Sequence, residues 1–271
     1  MLTTRSLIRT LACILGSGLV GVWDTAVASA WGRRGGDLFV LTRTDYFRAR
    51  GDFLASSPGD DTDLFQRLEA NFYAEYGVTD AFTVGGKLIY GVSRASNAVE
   101  TVDAAGVTVA EAFAQHQLWK GDYDVGAARI GVILPASFDS GVRQELAADG
   151  VDTEFRFLYG RSLAQTPFPV YANVETAFRR RFGDAADQAI ADITLGAEPI
   201  DGVLLLLQSF NTVSARNNED GGADFDVYRI QPSIVFRHNR RWAIEAGFIH
   251  EFAGRNFDRG NTAFIGVWSN F

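Results

Sequence analysis

The chain has 271 residues and a formal net charge of −8, so it lacks the basic surplus typical of proteins that bind nucleic acid. Glycine is abundant at 28 residues, proline is scarce at 6, and aromatic residues reach 13%. Period-two apolar alternation recurs throughout while long helical periods are missing, which argues against a helical domain and favours an all-β barrel or sandwich.

The first thirty residues carry the three regions of a secretory signal peptide. Arg5 and Arg9 supply positive charge, Leu11–Val22 is an apolar run, and Ala28-Ser29-Ala30 forms a small-x-small cleavage site. The apolar run is shorter than the roughly 20 residues that cross a bilayer as a helix, which argues against a membrane anchor. We therefore predict a cleaved leader over residues 1–30.

The remaining residues, 31–271, are predicted to form a single domain. The only cysteine, Cys13, lies in the predicted leader, so the mature chain is expected to have neither a disulfide framework nor a thiol nucleophile. The sequence leaves open whether residues 31–36 hang outside this domain or enter it.

Alternation predicts twelve antiparallel strands whose connections are alternately long and short. Long loops at one rim and tight turns at the other are typical of a transmembrane β-barrel closed by its C-terminal strand, whereas a soluble β-sandwich has no reason to segregate them. The predicted strands are 37–48, 65–77, 81–94, 107–120, 124–136, 153–164, 169–182, 189–199, 203–215, 227–238, 241–253 and 261–271.

The two faces of these strands differ in polarity. Because unpaired charge is costly in hydrocarbon, we expect the apolar face to meet lipid and the charged face to line the lumen. Trp119 and Trp268 are expected to point inward. The candidate lumen-lining binding residues are Arg43, Lys87, Arg129, Arg156, Glu175, Arg179, Arg229, Arg237 and Glu245.

Charges of both signs alternate around this predicted interior. They are expected to pair across the ladder, which leaves two possibilities open: a salt-bridged, largely filled interior or a narrow polar channel. At twelve strands the barrel is wider than the eight-stranded kind that side chains fill and narrower than a 16-stranded porin.

The last stretch, Asn261–Phe271, has one apolar face and ends on an aromatic residue. This end resembles the terminal signal of bacterial outer-membrane barrels, although Ser269 departs from the usual pattern. The resemblance implies recognition of Phe271 by the barrel-assembly machinery, a location in the outer membrane, and contact with its lipid and lipopolysaccharide.

No phosphate loop, zinc spacing or carboxylate pair stands out, so the sequence predicts no cofactor, no metal and no catalytic residues. One alternative is enzymatic. His116 is predicted on the lipid-facing side of the fourth strand, where twelve-stranded outer-membrane phospholipases carry a Ser-His pair, but its neighbours do not match the motifs of that family.

The hairpin Glu75-Tyr76-Gly77-Val78-Thr79-Asp80-Ala81-Phe82-Thr83-Val84-Gly85 resembles proteins grouped under the meta-pathway of phenol degradation. Thr79-Asp80 is expected to form a side-chain-bonded turn, and Gly77 to ease the bend. Further likeness lies in Leu158–Ser162, Leu204–Thr212 and Gln231-Pro232-Ser233.

This resemblance implies a transporter-like outer-membrane barrel that is not an enzyme, and some members of the family are encoded beside exopolysaccharide glycosyltransferases. We therefore expect a channel for small solutes or for exopolysaccharide export. A structural or adhesion barrel with a filled lumen, and an outer-membrane lipid hydrolase, are the alternatives.

Overall fold

The protein is described here by a computed structural model, which covers residues 30–52, 64–96, 101–134, 137–138, 150–182, 185–215, 224–255 and 258–271. No helix in this part of the chain is long and apolar enough to cross a membrane. The described secondary structure consists of strands. They are β1 Leu38–Asp52, β2 Leu64–Thr79, β3 Phe82–Ser96, β4 Thr101–Lys120, β5 Asp124–Leu134, β6 Ser137–Phe138, β7 Asp152–Ala164, β8 Val170–Arg181, β9 Gln188–Ile200, β10 Val203–Ser214, β11 Asp226–Arg237, β12 Trp242–Arg255 and β13 Asp258–Asn270.

The twelve long strands form one closed antiparallel ring, and the two-residue β6 adds only to the edge of β4. The ring closes where β13 pairs with β1, from Phe39 opposite Asn270 to Asp52 opposite Asp258. Closure leaves no strand edge along the wall, as a barrel requires. The predicted all-β barrel with twelve strands, closed by the C-terminal strand, is confirmed.

Side-chain hydrogen bonds stabilise the tight turns at one rim of the barrel. We name this rim, which carries the turns after β2 and β11, the short-turn end. Thr79 Oγ1 accepts hydrogen bonds from the backbone N–H groups of Ala81 at 3.3 Å and Phe82 at 3.1 Å. Asn239 Oδ1 does the same for Trp242 at 2.9 Å. Short side-chain acceptors of this kind stabilise turns locally. The opposite rim is the long-loop end.

One long loop predicted from the sequence is mostly strand. Residues 95–106 were expected to be a connection, but β3 runs to Ser96 and β4 begins at Thr101. The pair Arg94–Asp103, at 2.7 Å, continues the ladder there with both side chains more than half exposed. A search for alternating apolar and polar residues cannot detect this extension, because a hairpin with water on both of its faces needs no apolar face.

The outer surface is a band of exposed apolar side chains. Phe155, Ile130 and Ile265 are 59%, 61% and 58% exposed. At the short-turn end the rings of Trp242 and Phe271 meet edge to face at 6.1 Å. An apolar band flanked by aromatic residues is the surface that lipid requires.

Trp119 lies on this outer surface, so the prediction that it points inward was wrong. A bulge in β4 between Gln117 and Trp119 shifts the register, and consequently Leu118 and Trp119 are both exposed, at 51% and 41%. The Trp119 ring lies 5.9 Å from that of Phe157. One inserted residue reverses the face of each residue that follows it.

The inner face is not uniformly ionic, contrary to expectation. Near the short-turn end an apolar cluster packs across the lumen, and its members come from strands on opposite sides of the ring. Trp268, 3% exposed, points inward as expected and meets the ring of Phe39 at 6.0 Å. The apolar cluster comprises Phe39, Leu41, Tyr73, Phe113, Leu204, Leu206, Val235, Ala243 and Trp268.

A charge on the lipid-facing surface tests the assignment of the two faces. Ile265→Arg lies in the middle of β13, and we expect it to lower the free energy of unfolding in lipid vesicles by about 2–4 kcal/mol. Val78→Arg, at the short-turn rim, is the matched control and should cost no more than about 1 kcal/mol. Urea titration measures both, and equal losses would contradict the assignment.

Candidate functional site in the barrel interior

Ion pairs between strands that are not neighbours identify the side chains of the lumen. Arg129 on β5 reaches Glu75 on β2, with Nη2 and Oε1 3.5 Å apart. Arg156 on β7 reaches Asp192 on β9, with Nη1 and Oδ2 2.7 Å apart. Side chains can meet past an intervening strand only on the concave side of the wall. The interior is therefore the one place where charges from several strands converge.

Arg156 is the centre of one ionic group. Its Nε lies 2.8 Å from Glu154 Oε1, and its Nη1 lies 2.7 Å from both Glu175 Oε2 and Asp192 Oδ2. Arg179 binds the second oxygen of Glu154 at 2.8 Å. Two arginines thus pair with three carboxylates that are 5–14% exposed. Buried charges persist only with such partners.

Glu75 is the centre of a second group. Its Oε2 lies 2.6 Å from Nε of Arg33, and its Oε1 lies 3.5 Å from Arg129 and also accepts a hydrogen bond from the Tyr73 hydroxyl. Arg129 in turn donates to Gln115 Oε1 at 2.6 Å. Glu75 therefore has two arginines as partners. Arg129 is on strand β5 of the wall, whereas Arg33 is not on a strand.

Arg33 belongs to a segment before β1 that enters the lumen. Ala30 is fully buried, and the edge of the Trp31 ring meets the Tyr171 ring at 5.9 Å. Trp31 also lies over Gly160, where a Cβ would stand 2.4 Å from the indole, so only glycine leaves it room. The segment packs here against Val125, Ala127 and Leu158. Residues 30–33 therefore fill part of the interior, a question that the sequence left open.

Polar atoms of the β2–β3 hairpin hold the backbone of this segment. The N–H of Arg33 donates to Thr83 Oγ1 at 3.0 Å, and the N–H of Gly35 donates to Asp80 Oδ1 at 2.9 Å. Thr83 and Asp80 belong to the hairpin on which the family resemblance was based. In this chain the motif forms the receptor for residues 33–36.

Gly77 in the same hairpin has a different role from the one predicted. Its carbonyl accepts a hydrogen bond from the N–H of Gly36 at 2.8 Å. A Cβ at Gly77 would lie 1.9 Å from the carbonyl oxygen of Arg34. Glycine is needed there because a second backbone approaches, rather than to ease the bend.

Most of the other predicted lumen arginines are paired with carboxylates. These pairs are partly buried and lie at several heights along the barrel, with Arg237 near the short-turn end. They are Arg43–Asp45 at 2.8 Å, Arg229–Glu251 at 3.0 Å and Arg237–Glu198 at 2.8 Å.

Glu245 and Lys87 differ from these arginines. Glu245 has no cationic partner among the described residues, and instead accepts hydrogen bonds from the Ser233 hydroxyl at 2.8 Å and from Trp268 Nε1 at 3.0 Å. Lys87 stands opposite Glu111 across the β3–β4 ladder but forms no ion pair with any residue that the structure describes. Lys87 is therefore a cation held in the interior without a direct counter-charge.

The chemistry of the remaining candidates is sparse. His116 is exposed on the outer surface, and no hydrogen-bond partner is found for its ring among the described residues. Within the same residues no group of His, Cys, Asp and Glu is placed to hold a metal ion. The interior presents charges of both signs and hydrogen-bonding groups, the chemistry that binds ions and small polar molecules.

Sequence reasoning missed Arg33, Tyr73 and Gln115 as parts of this site. Tyr73 and Gln115 lie on the inward register, so a search for neutral polar residues beside Arg129 would have found them. Arg33 follows no periodicity, and the only signal for it is two arginines placed among glycines just before the first strand.

Comparison with solved structures shows the fold. An outer-membrane channel from Pseudomonas putida F1 matches with a TM-score of 0.68 at 12% identity, covering 92% of this chain and 100% of that one. The translocator domain of the autotransporter NalP from Neisseria meningitidis matches at 0.53, with 13% identity over 89% and 91%. The transport unit of the autotransporter AIDA-I from Escherichia coli matches at 0.52, with 9% identity over 88% and 92%.

No family model and no curated protein matches the sequence. The resemblance to the meta-pathway family therefore stays a prediction. The solved structures agree with one another in architecture, and the chain is a β-barrel of the outer-membrane type.

Loss of the Arg156 guanidinium tests whether the ionic group stabilises the wall. Arg156→Met leaves the carboxylates of Glu175 and Asp192 without their cation, and removing one partner of a buried pair typically costs about 3–5 kcal/mol. Arg94→Met, in an exposed pair, is the matched control and should change little. Urea titration in lipid vesicles measures both variants, and a similar small loss in each would contradict a stabilising role for Arg156.

Proposed function

We propose that the protein is an outer-membrane channel for small polar solutes. The observation that carries the proposal is the ionic lining of the lumen, built from side chains of many strands around a ring of twelve. The fold likeness to a solved outer-membrane channel supports the same function.

The proposal also includes removal of the leader, the orientation of the barrel in the membrane and its assembly there. Residues 1–30 are a leader removed on export, the short-turn end faces the periplasm, and the long-loop end faces outward. Phe271 is the residue that the barrel-assembly machinery recognises, and its 55% exposure on the outer surface supports this role. Lipid and lipopolysaccharide surround the apolar band.

Small solutes fit the interior better than a polymer does. The apolar cluster packs across the lumen at the short-turn end, and residues 30–33 fill a further part of the interior. A glycan in export would have to displace both. We therefore favour small solutes over exopolysaccharide as the cargo.

The apolar cluster also favours a second candidate, a structural or adhesion barrel with a filled lumen. Its members are at most 8% exposed, so they pack as tightly as an ordinary protein core. This candidate predicts a folded barrel that never conducts. A lipid hydrolase lacks such support, because His116 has no serine partner among the described residues.

The selectivity of the channel tests the proposal through Lys87. Replacing this cation, which forms no direct ion pair, by methionine, Lys87→Met, should shift the permeability ratio toward cations by about fivefold, the effect of a unit charge about 4 Å away in water. The reversal potential under a potassium chloride gradient in planar bilayers measures this ratio. Lys120→Met, at the exposed end of β4, is the matched control and should leave it unchanged.

An unchanged ratio in Lys87→Met would contradict the assignment of the lumen as the conducting path. Complete silence of the intact protein, together with silence of the Arg33→Ala variant considered below, would overturn the channel and favour the filled barrel.

A further inference from the structure

The side chain of Arg33 occupies a pocket with the chemistry of a guanidinium receptor. The Glu75 carboxylate binds its Nε at 2.6 Å, and the guanidinium lies over the Phe39 ring at 4.2 Å. Arg33 is 6% exposed and Glu75 is 3% exposed. A carboxylate combined with an aromatic face is the combination that selects a planar cation.

The segment that carries Arg33 can leave without breaking the wall. Residues 30–36 precede β1 and contribute nothing to the pairing of β1 with β2 or β13. Their backbone N–H groups donate hydrogen bonds to Asn173, Thr83, Asp80 and Gly77. The closed ladder of twelve strands would therefore survive displacement of the segment.

Glu75 is not left without a partner when Arg33 departs. Arg129 Nη2 stays 3.5 Å away, and the Tyr73 hydroxyl still donates to the same carboxylate. Removing one partner of a buried ion pair is costly chiefly because it strands the other charge, and here the second arginine prevents that. The pocket is built so that its ligand can exchange.

We propose that this pocket is a guanidinium-binding site whose resident ligand is Arg33, and that Arg33 holds residues 31–36 as a displaceable plug in the lumen. The inference rests on the proposed channel function and adds its regulation. A soluble guanidinium compound competes for the same pocket. The plug leaves the lumen when the Arg33–Glu75 contact is lost.

Thiol labelling at Ala127 reports the position of the plug without any measurement of current. Ala127 is fully buried in the cluster against which Trp31 packs, so a cysteine there is covered only while the segment is seated. Cys13, the single cysteine of the sequence, lies in the predicted leader, and Cys13→Ser also removes it from any unprocessed precursor. The protein is purified as Cys13→Ser/Ala127→Cys and treated with a charged maleimide.

Arg33→Ala in this background should raise the labelling rate at least about tenfold, because the buried contact that seats the segment is gone. Arg34→Ala removes the same charge from the neighbouring exposed residue and should leave the rate within about twofold, as expected of a surface change. Heat-modifiable gel mobility shows that each variant is folded. Equal rates in Arg33→Ala and Arg34→Ala, or fast labelling of the parent, would overturn the plug.

Guanidinium chloride at millimolar concentration tests the ligand class. In the parent the added ion should compete with Arg33 and raise the labelling rate, and Arg33→Lys should label at a rate between those of the parent and Arg33→Ala because an ammonium lacks the planar fork. An acceleration of the parent by guanidinium that is absent in Arg33→Ala supports the pocket. Full protection by Arg33→Lys with no effect of guanidinium would overturn the assignment to guanidinium.

The labelling result and the conductance result separate the two proposals. Rapid labelling of Arg33→Ala without any current would support the proposed plug and contradict the proposed channel function. A steady current that is identical in the parent and in Arg33→Ala, with equal labelling rates, would keep the channel and overturn the plug.

Discussion

Closure of the backbone ladder is the constraint on which the rest of the structure depends. The ring is sealed where the N–H of Leu38 donates to the carbonyl of Phe271 at 3.0 Å and the N–H of Phe271 donates back at 2.8 Å. An unpaired backbone group in hydrocarbon costs several kcal/mol, so the wall cannot part to admit a solute. Whatever the barrel passes or blocks must therefore be controlled by groups inside the lumen.

The lumen contains two kinds of ionic contact with different consequences. Arg156 lies among Glu154 on its own strand, Glu175 on β8 and Asp192 on β9, and this group ties the wall together. Glu75 instead joins the wall to an inserted segment, and it keeps a partner whether or not the segment is present. The first contact is structural, and the second is suited to exchange.

Residue parity along the strands predicted a large part of this arrangement. The two-residue period of a strand is enough to place Arg129 and Arg156 on the inner face, without knowledge of the carboxylates that they bind. Parity fails at Trp119, because a bulge is decided by local backbone pairing and has no apolar signature. Parity predicts nothing about Arg33, because the position of Arg33 depends on its contact with Glu75, which lies 42 residues away in the chain. Long-range docking of an aperiodic segment is beyond any local pattern.

Residues 31–36 are the part of the lumen that decides whether the barrel is open. The most direct test of this role is the single-channel conductance of the protein with and without these residues, with heat-modifiable mobility showing that both forms are folded. We predict a larger and steadier conductance once the segment is absent. The same small conductance from both forms, or silence in both, would contradict the account.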